Sequence, residues 1–510
     1  MRKHTALRRV ILLVLLALAL SLTACGKKPD ADDMSDESLA SKTAPAEAAE
    51  FLAQPVEGDF TISCYDDNDF FLNPAIESFR LKYPEIKVNV QKFASALEMT
   101  KQEIDSDKAL FYKIPVKDNQ EKSDYIKMIN TELMSGAGAD ILQIDVIPWY
   151  KYADAGCLED LTPFMDYDPG FDKAALRTNI FDAISYKGGR FVLPLNFMFN
   201  FYAYDASFFN DTERQAFTER DTFTFEDMLK LSEPAFIRNN KQNSVFGYTG
   251  GAYHTYHIFN LLLRQHYSEF VNISKKQVIF NDGNFANLLL SAREYLDKGY
   301  IQETSNIVEA FVRFDIGTDY KNRIKEHRFL CKYEHTGFLL QNYSYTLVGS
   351  NYTLSPTFGE VQDDIIAGLA ADSTGGIGFW SGQMYAINAN SKNKRAAWEF
   401  LKFLTSEEPQ SFFQLSLVPI NRNALRENAI AHLTIGGTEP LEFTEETREA
   451  FEDYLVCVDK YSDFINVYSI RDTRIDMMIE EEVALYFDGK KTAEETAATL
   501  QNKVSLYLNE

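Results

Sequence analysis

Several groups of residues in this 510-residue chain have the types and spacing that chemistry would need. Asp66 and Asp67 are paired carboxylates, but neighbours on one chain point apart and cannot flank a single glycosidic bond. Gly378-Phe379-Trp380-Ser381-Gly382 sets a serine among glycines without the G-x-S-x-G spacing of a nucleophile elbow. His254 and His257 lie three apart and could share a helix face as metal ligands. No H-E-x-x-H accompanies them, and the chain has 7 histidines in all. Asp66 to Asp69 resembles a calcium loop in composition only, since the glycine and the distal glutamate are missing. The run Ser135 to Asp140, SGAGAD, has the glycines of a phosphate cradle. Such a cradle needs a strand first and a helix second, so that free helix amides face the anion. Here the order is reversed: an amphipathic helix with Ile126, Ile129 and Leu133 on one face precedes it, and an apolar run from Ile141 to Ile147 follows. Gly136 is read as a left-handed helix cap, and SGAGAD as a turn into a strand.

These residues therefore predict no catalytic group, no metal site and no cofactor. What remains suits binding. Asparagine and aspartate hydrogen-bond hydroxyls, while tryptophan and tyrosine stack on C–H faces. Ligands of open α/β sheets sit at the carboxyl ends of the strands. Asp145 and Trp149 follow the strand after SGAGAD, and Tyr65 and Asp67 follow the first strand. Trp149 reads equally well as a core aromatic, and Asp145 as a helix cap.

The elements that must position these residues are legible. Phe60, Ile62 and Cys64 alternate as a strand; Asn73-Pro74 starts a helix carrying Ile76, Phe79 and Tyr83; Pro84 ends it, and Ile86, Val88 and Val90 form a second strand. This β-α-β unit predicts parallel, neighbouring strands. Lys394 to Leu404 is an amphipathic helix with Ala397, Phe400, Leu401 and Leu404 inward. Thr492 and Glu495 form a capping box ahead of a last helix that packs Leu500, Val504 and Leu508.

The N-terminus states a compartment. Arg2, Lys3, Arg8 and Arg9 precede an apolar run from Val10 to Leu20, which is short for a membrane span and right for an export signal. Leu22-Thr23-Ala24-Cys25-Gly26 then resembles a bacterial lipobox, in which Cys25 is acylated and becomes the first mature residue. Its acyl chains would hold the protein on the outer face of the cell membrane, in the Gram-positive manner. Loss of residues 1 to 24, with their four basic side chains, takes the net charge from −24 to −28. Such a surface disfavours nucleic acid and anionic head groups as partners. Residues 25–57, rich in Asp, Glu, Ser, Ala and Pro, read as a flexible tether. Cys64, Cys157, Cys331 and Cys457 are scattered and are read as small core residues, although two disulfides are open to an exported chain.

Six stretches together, "AIESFRLKYPEIKVNV", "SGAGADILQIDVIPWYKYADAGCLEDLTPFM", "YKGGRFVLPLNFMFNFYAYDASFF", "GQMYAINANSKNKRAAWEFLKFLTSEEPQ", "PINRNAL" and "YFDGKKTAEETAATLQNKVSLYL", resemble landmarks of the extracellular solute-binding proteins of ABC importers. The branch is the carbohydrate-type, maltose-binding-like family 1; the middle, Asp211 to Gly359, matches weakly. The resemblance implies an α/β, two-lobed periplasmic-binding-protein-like fold of type II. Each lobe would be a mostly parallel sheet flanked by helices, with the ligand cleft at the hinge. It implies an N-terminal lobe of residues 58–198 plus 362–408 and a C-terminal lobe of 199–361 plus 409–510. Asn196 and Met198 would face the cleft, Tyr253 or His254 would touch ligand after the Gly250-Gly251 turn, and Trp380 would stack on it at the return crossing. The function implied is capture of a small solute, a sugar or oligosaccharide, by a monomer that delivers it to permease subunits. A secreted carbohydrate-active enzyme and a ligand sensor feeding a membrane receptor are the alternatives.

Overall fold

The computed structural model describes residues 45–65, 69–93, 100–103, 110–113, 119–239, 241, 244–247, 257–301, 330–336, 364–434 and 445–509, all within the compact unit Ser38–Glu510. Strand β1 (Phe60–Cys64) leads through helix α1 (Asp69–Lys82) to β2 (Val88–Lys92), and the two strands pair in parallel with Phe60 opposite Val88. The β-α-β expectation holds, but the helix begins earlier than Asn73-Pro74, and Pro74 lies inside it. Burial explains the shift: Phe71 and Leu72 are as buried as Ala75, Ile76 and Phe79, so the apolar face extends one turn back. That packing outweighs the one amide a proline withholds from the helix.

Helix α2 (Asn119–Met134) ends at Gly136, whose φ of 75° is the left-handed cap, and the turn delivers β3 (Ile141–Gln143) to the other side of β1. The glycine run is thus the connector expected. Helix α3 (Trp149–Asp154) follows. Next come β4 (Leu193–Pro194), the long strand β5 (Asn196–Asp205), β6 (Thr222–Phe223), β7 (Phe246–Gly247), helix α4 (His257–Phe270), β8 (Cys331–His335) and β9 (Asp364–Ala370). The described chain closes with β10 (Phe379–Trp380), β11 (Met384–Ile387), α5 (Lys394–Leu404), β12 (Val418–Pro419), α6 (Glu445–Ser462), α7 (Thr473–Phe487) and α8 (Ala493–Asn509).

Two sheets result. The first has the order β2-β1-β3-β11-β4 and the second β6-β9-β5-β8-β7, with β10 and β12 also pairing along β5. Both are mixed. β1 pairs in parallel with β2 and β3, β6 with β9, and β7 with β8, whereas β11 in the first sheet and β5 in the second make only antiparallel pairs. The reason is the point of entry. β11 reaches the first sheet beside Ile144, just past the carboxyl end of β3, and must run back along it.

Helix α5 spans the expected residues, and Ala397, Phe400, Leu401 and Leu404 are fully buried, with Phe400 against Phe60 and Phe79. Each of the three large side chains, Phe400, Leu401 and Leu404, contributes roughly 1.5–3 kcal/mol of burial. The capping box forms as read: the Glu495 amide donates to Thr492 Oγ1 at 3.1 Å and the Thr492 amide to Glu495 Oε2 at 2.9 Å. Contacts of residues 409–510 divide between the sheets. Ile420 and Asn421 pair beside β4 and Leu176, while α8 packs on α7 and on the helix Asn284–Asp297. Cys64, Cys157 and Cys331 are buried and Cys457 half-buried, none of them in a disulfide.

Candidate functional site

Strand β5 belongs to the second sheet and starts two residues after β4 of the first sheet ends, and its first residues organise the site. Phe379 and Trp380 pair across from Phe199 and Met198, and Val418 and Pro419 across from Phe197 and Asn196, so three chain segments meet within four residues. A fourth segment joins through a parallel bridge between Gly378 and Val467. Asn196 ties them together. Its Oδ1 accepts from Ser381 Oγ and the Gly382 amide, both at 3.1 Å, and its Nδ2 donates to the Ser416 carbonyl at 2.8 Å. The side chain is fully buried.

Asp145 lies just past β3, beside this junction. Its Oδ1 accepts from the Met384 amide at 3.1 Å and its Oδ2 from Gln143 Nε2 at 2.6 Å. Tyr468 lies near it, with its ring 5.0 Å from Phe379 and its hydroxyl 3.7 Å from the Met384 sulfur. Burial, and then the Asp145 charge, push the Tyr468 phenol well up. Burial does the same for Tyr125, with Asp145 adding to it, and Tyr125 leans on Tyr65 at 5.4 Å.

Trp380 is different in kind. Half of it (52%) is exposed, although it is a tryptophan at the centre of a chain junction. Its ring lies against Gly382, where an added Cβ would come within 3.1 Å of Trp380 Cη2, and Leu417 flanks that glycine at 3.7 Å. The glycine is needed for this close approach. One indole face is therefore supported and another is open to solvent.

The structure sorts the expected site residues. Asp145, Met198 and Trp380 meet at the junction, half-buried or exposed. Tyr65 is buried and its ring packs on Tyr125 at 5.4 Å. Trp149 is 4% exposed and packs edge-to-face on Tyr186 at 5.6 Å, which supports the core reading of this residue. Asn196, expected to face the solute, has its amide engaged within the protein and serves as a tie. Asp67, Tyr253, His254 and Cys25 lie outside the described residues. Sequence reasoning missed Tyr468, Tyr125, Gly382 and Gln143. Gln143 lies two residues before Asp145 in sequence; for the other three, only the crossing of distant segments makes them neighbours, and no local pattern announces it. Among the described residues no group of three or more metal-capable side chains forms, and no helix is long and apolar enough to cross a membrane.

Comparison with known proteins agrees with this architecture. The model of the bacterial extracellular solute-binding proteins matches residues 108–434, and the chain belongs to that family. Among solved structures, the sugar-binding protein MalE from Xanthomonas citri superposes with a TM-score of 0.55 at 13% identity, over 89% of this chain and 98% of that one. A family 1 extracellular solute-binding protein from Alicyclobacillus acidocaldarius gives 0.54 at 13% identity, over 90% and 100%. A periplasmic oligogalacturonide binding protein from Yersinia enterocolitica gives 0.53 at 12% identity, over 89% and 99%. At these identities the likeness is one of fold, the two-lobed α/β fold of solute-binding proteins. No curated protein matches in sequence.

Proposed function

We propose that this protein captures a sugar or oligosaccharide outside the cell and hands it to the permease of an ABC importer, held at the membrane by acylated Cys25. The observation that carries the reading is Trp380: an indole half-open to solvent, braced on Gly382 and two residues from the Gly378–Val467 bridge, with the Asp145 carboxylate held by the Met384 amide two residues beyond Gly382. Stacking of a sugar's C–H face on the ring, with hydroxyls donated to carboxylate oxygens, is the chemistry this pair supplies. Asp145, Met198 and Trp380 form the described part of the site; Asp67 and Tyr253, outside the described residues, are its further members. Tyr65, Trp149 and Asn196 support it from behind. The lobes are 58–198 plus 362–408 and 199–361 plus 409–510, closing on the ligand about the β5 junction. The protein works as a monomer without cofactor and turns nothing over, because the Asp66/Asp67 pair, the serine of residues 378–382 and the two histidines lack usable spacing.

A thermal-shift screen of mono- and oligosaccharides, polyamines and peptides tests the reading, since a ligand bound only by the folded state raises Tm. A sugar is expected to do so. A peptide or polyamine acting alone would reject the sugar assignment. Mass analysis of the N-terminal fragment should show a lipid adduct on Cys25, lost with membrane attachment in Cys25→Ser.

A further inference from the structure

Residues 466–472, NVYSIRD, contain no motif, yet they run from the junction to the opposite wall. Asn466 Oδ1 accepts the Ile377 amide at 2.9 Å, Val467 bridges Gly378 in parallel, and Tyr468 packs on Phe379. The two chains leave that bridge in the same direction, one carrying Trp380 and the other Arg471. Asp472, buried, accepts from Tyr150 Oη at 2.5 Å and Tyr507 Oη at 2.9 Å. Arg471 therefore sits between the carboxyl edge of the first sheet, where α3 begins, and helix α4 beside the second.

Its guanidinium is pinned. It stacks 4.0 Å over the Tyr267 ring, and its Nε and Nη2 engage Asp476 at 3.2 and 2.8 Å. The side chain is 35% exposed, and Nη1 has no partner among the described residues. The cluster also holds exposed Arg264, which acts on Asp476, Arg474 at 5.1 Å from the Tyr507 ring, and Lys151 at 3.9 Å from the same ring. Four cations thus belong to this cluster, two acting on Asp476 and two lying over the Tyr507 ring, in a chain whose net charge is −24. A screening length of about 8 Å leaves the local cations, rather than the distant acidic surface, to act on a bound group.

We propose that Arg471 recognises a carboxylate on the solute, so that the sugar taken is an acidic one, a glycan containing uronic acid. The inference rests on the sugar-capture reading above. The physical reason is preorganisation. A guanidinium already stacked and ion-paired gives up little rotamer freedom on binding, and its open N–H edge fits a carboxylate. A neutral sugar would leave those donors to water.

Titration calorimetry on the mature protein, with tri-galacturonate, neutral galactotriose and galactose 6-phosphate as probes, tests this. Tri-galacturonate is expected to bind roughly tenfold or more tightly than galactotriose, the gain expected from charged hydrogen bonds. The preference should weaken with added salt, survive in part in Arg471→Lys, and vanish in Arg471→Met/Asp476→Asn, which removes the pair without stranding a buried carboxylate. Equal binding of acidic and neutral sugars, or equal loss of both in the double variant, overturns the inference while leaving sugar capture intact. Tighter binding of galactose 6-phosphate than of tri-galacturonate overturns the carboxylate assignment. Binding of none of the three, with peptides or polyamines raising Tm instead, overturns both readings.

Discussion

Trp149 and Trp380 present the same residue type at the same kind of place, where a strand end or crossing leaves a sheet, and the fold uses them in opposite ways. Trp149 opens helix α3, which folds down on the sheet, so its ring is enclosed at 4% exposure against Tyr186. Trp380 lies on a two-residue strand at the rim of β5 and remains 52% exposed. A third tryptophan, Trp398, marks the extreme: fully buried between Phe164 and Phe171, its Nε1 donates to Asp168 Oδ2 at 2.8 Å. The lesson is that exposure of an aromatic is decided by the element next in sequence, which either folds over it or carries the chain away.

The contrast makes graded predictions. The largest effect belongs to the enclosed rings: Trp149→Ala and Trp398→Ala should each cost about 3–5 kcal/mol of unfolding free energy in urea titrations, with solute affinity of the folded fraction unchanged. Trp380→Ala should reverse the pattern, leaving Tm in place and weakening sugar binding roughly ten- to a hundredfold by calorimetry. If Trp380→Ala instead lowers stability as much as Trp149→Ala, the distinction fails and the solute lies elsewhere. Gly382→Val should push the Trp380 ring off its support and cost on the order of 1 kcal/mol in binding, less than deleting the ring.

The smallest effect is one of pH. Burial works to raise the Asp168 pKa, but the Trp398 indole, Lys402 and the Gly170 amide outweigh it and the net shift is downward. Burial likewise works against ionised Glu399, and Lys402, Arg395 and Tyr83 reverse it. Carboxylates with lowered folded pKa values contribute stability that is complete above their unfolded values, near 4, and lost as pH falls through the folded ones. Denaturation midpoints should therefore decline below about pH 4, and Trp398→Phe should show less of that decline than wild type.

Local elements were legible because their causes are local. The capping box at Thr492, the left-handed Gly136, the inward face of Lys394 to Leu404 and the parallel pair flanking α1 each depend on residues within a turn or two of one another. Even there, the start of α1 moved, since burial of Phe71 against distant strands is not written near Pro74. The site obeyed different rules. Asp145 owes its place to the Met384 amide, 239 residues away, and Asn196 became a tie through Ser381, 185 residues away. Periodicity reports which face of an element is apolar; it carries no record of which other segment will cover that face. Arg471 shows this plainly: in the chain it is one charge among many, its partner Asp476 is only five residues on, and it takes tertiary packing against α4 to stack it on Tyr267, 204 residues earlier.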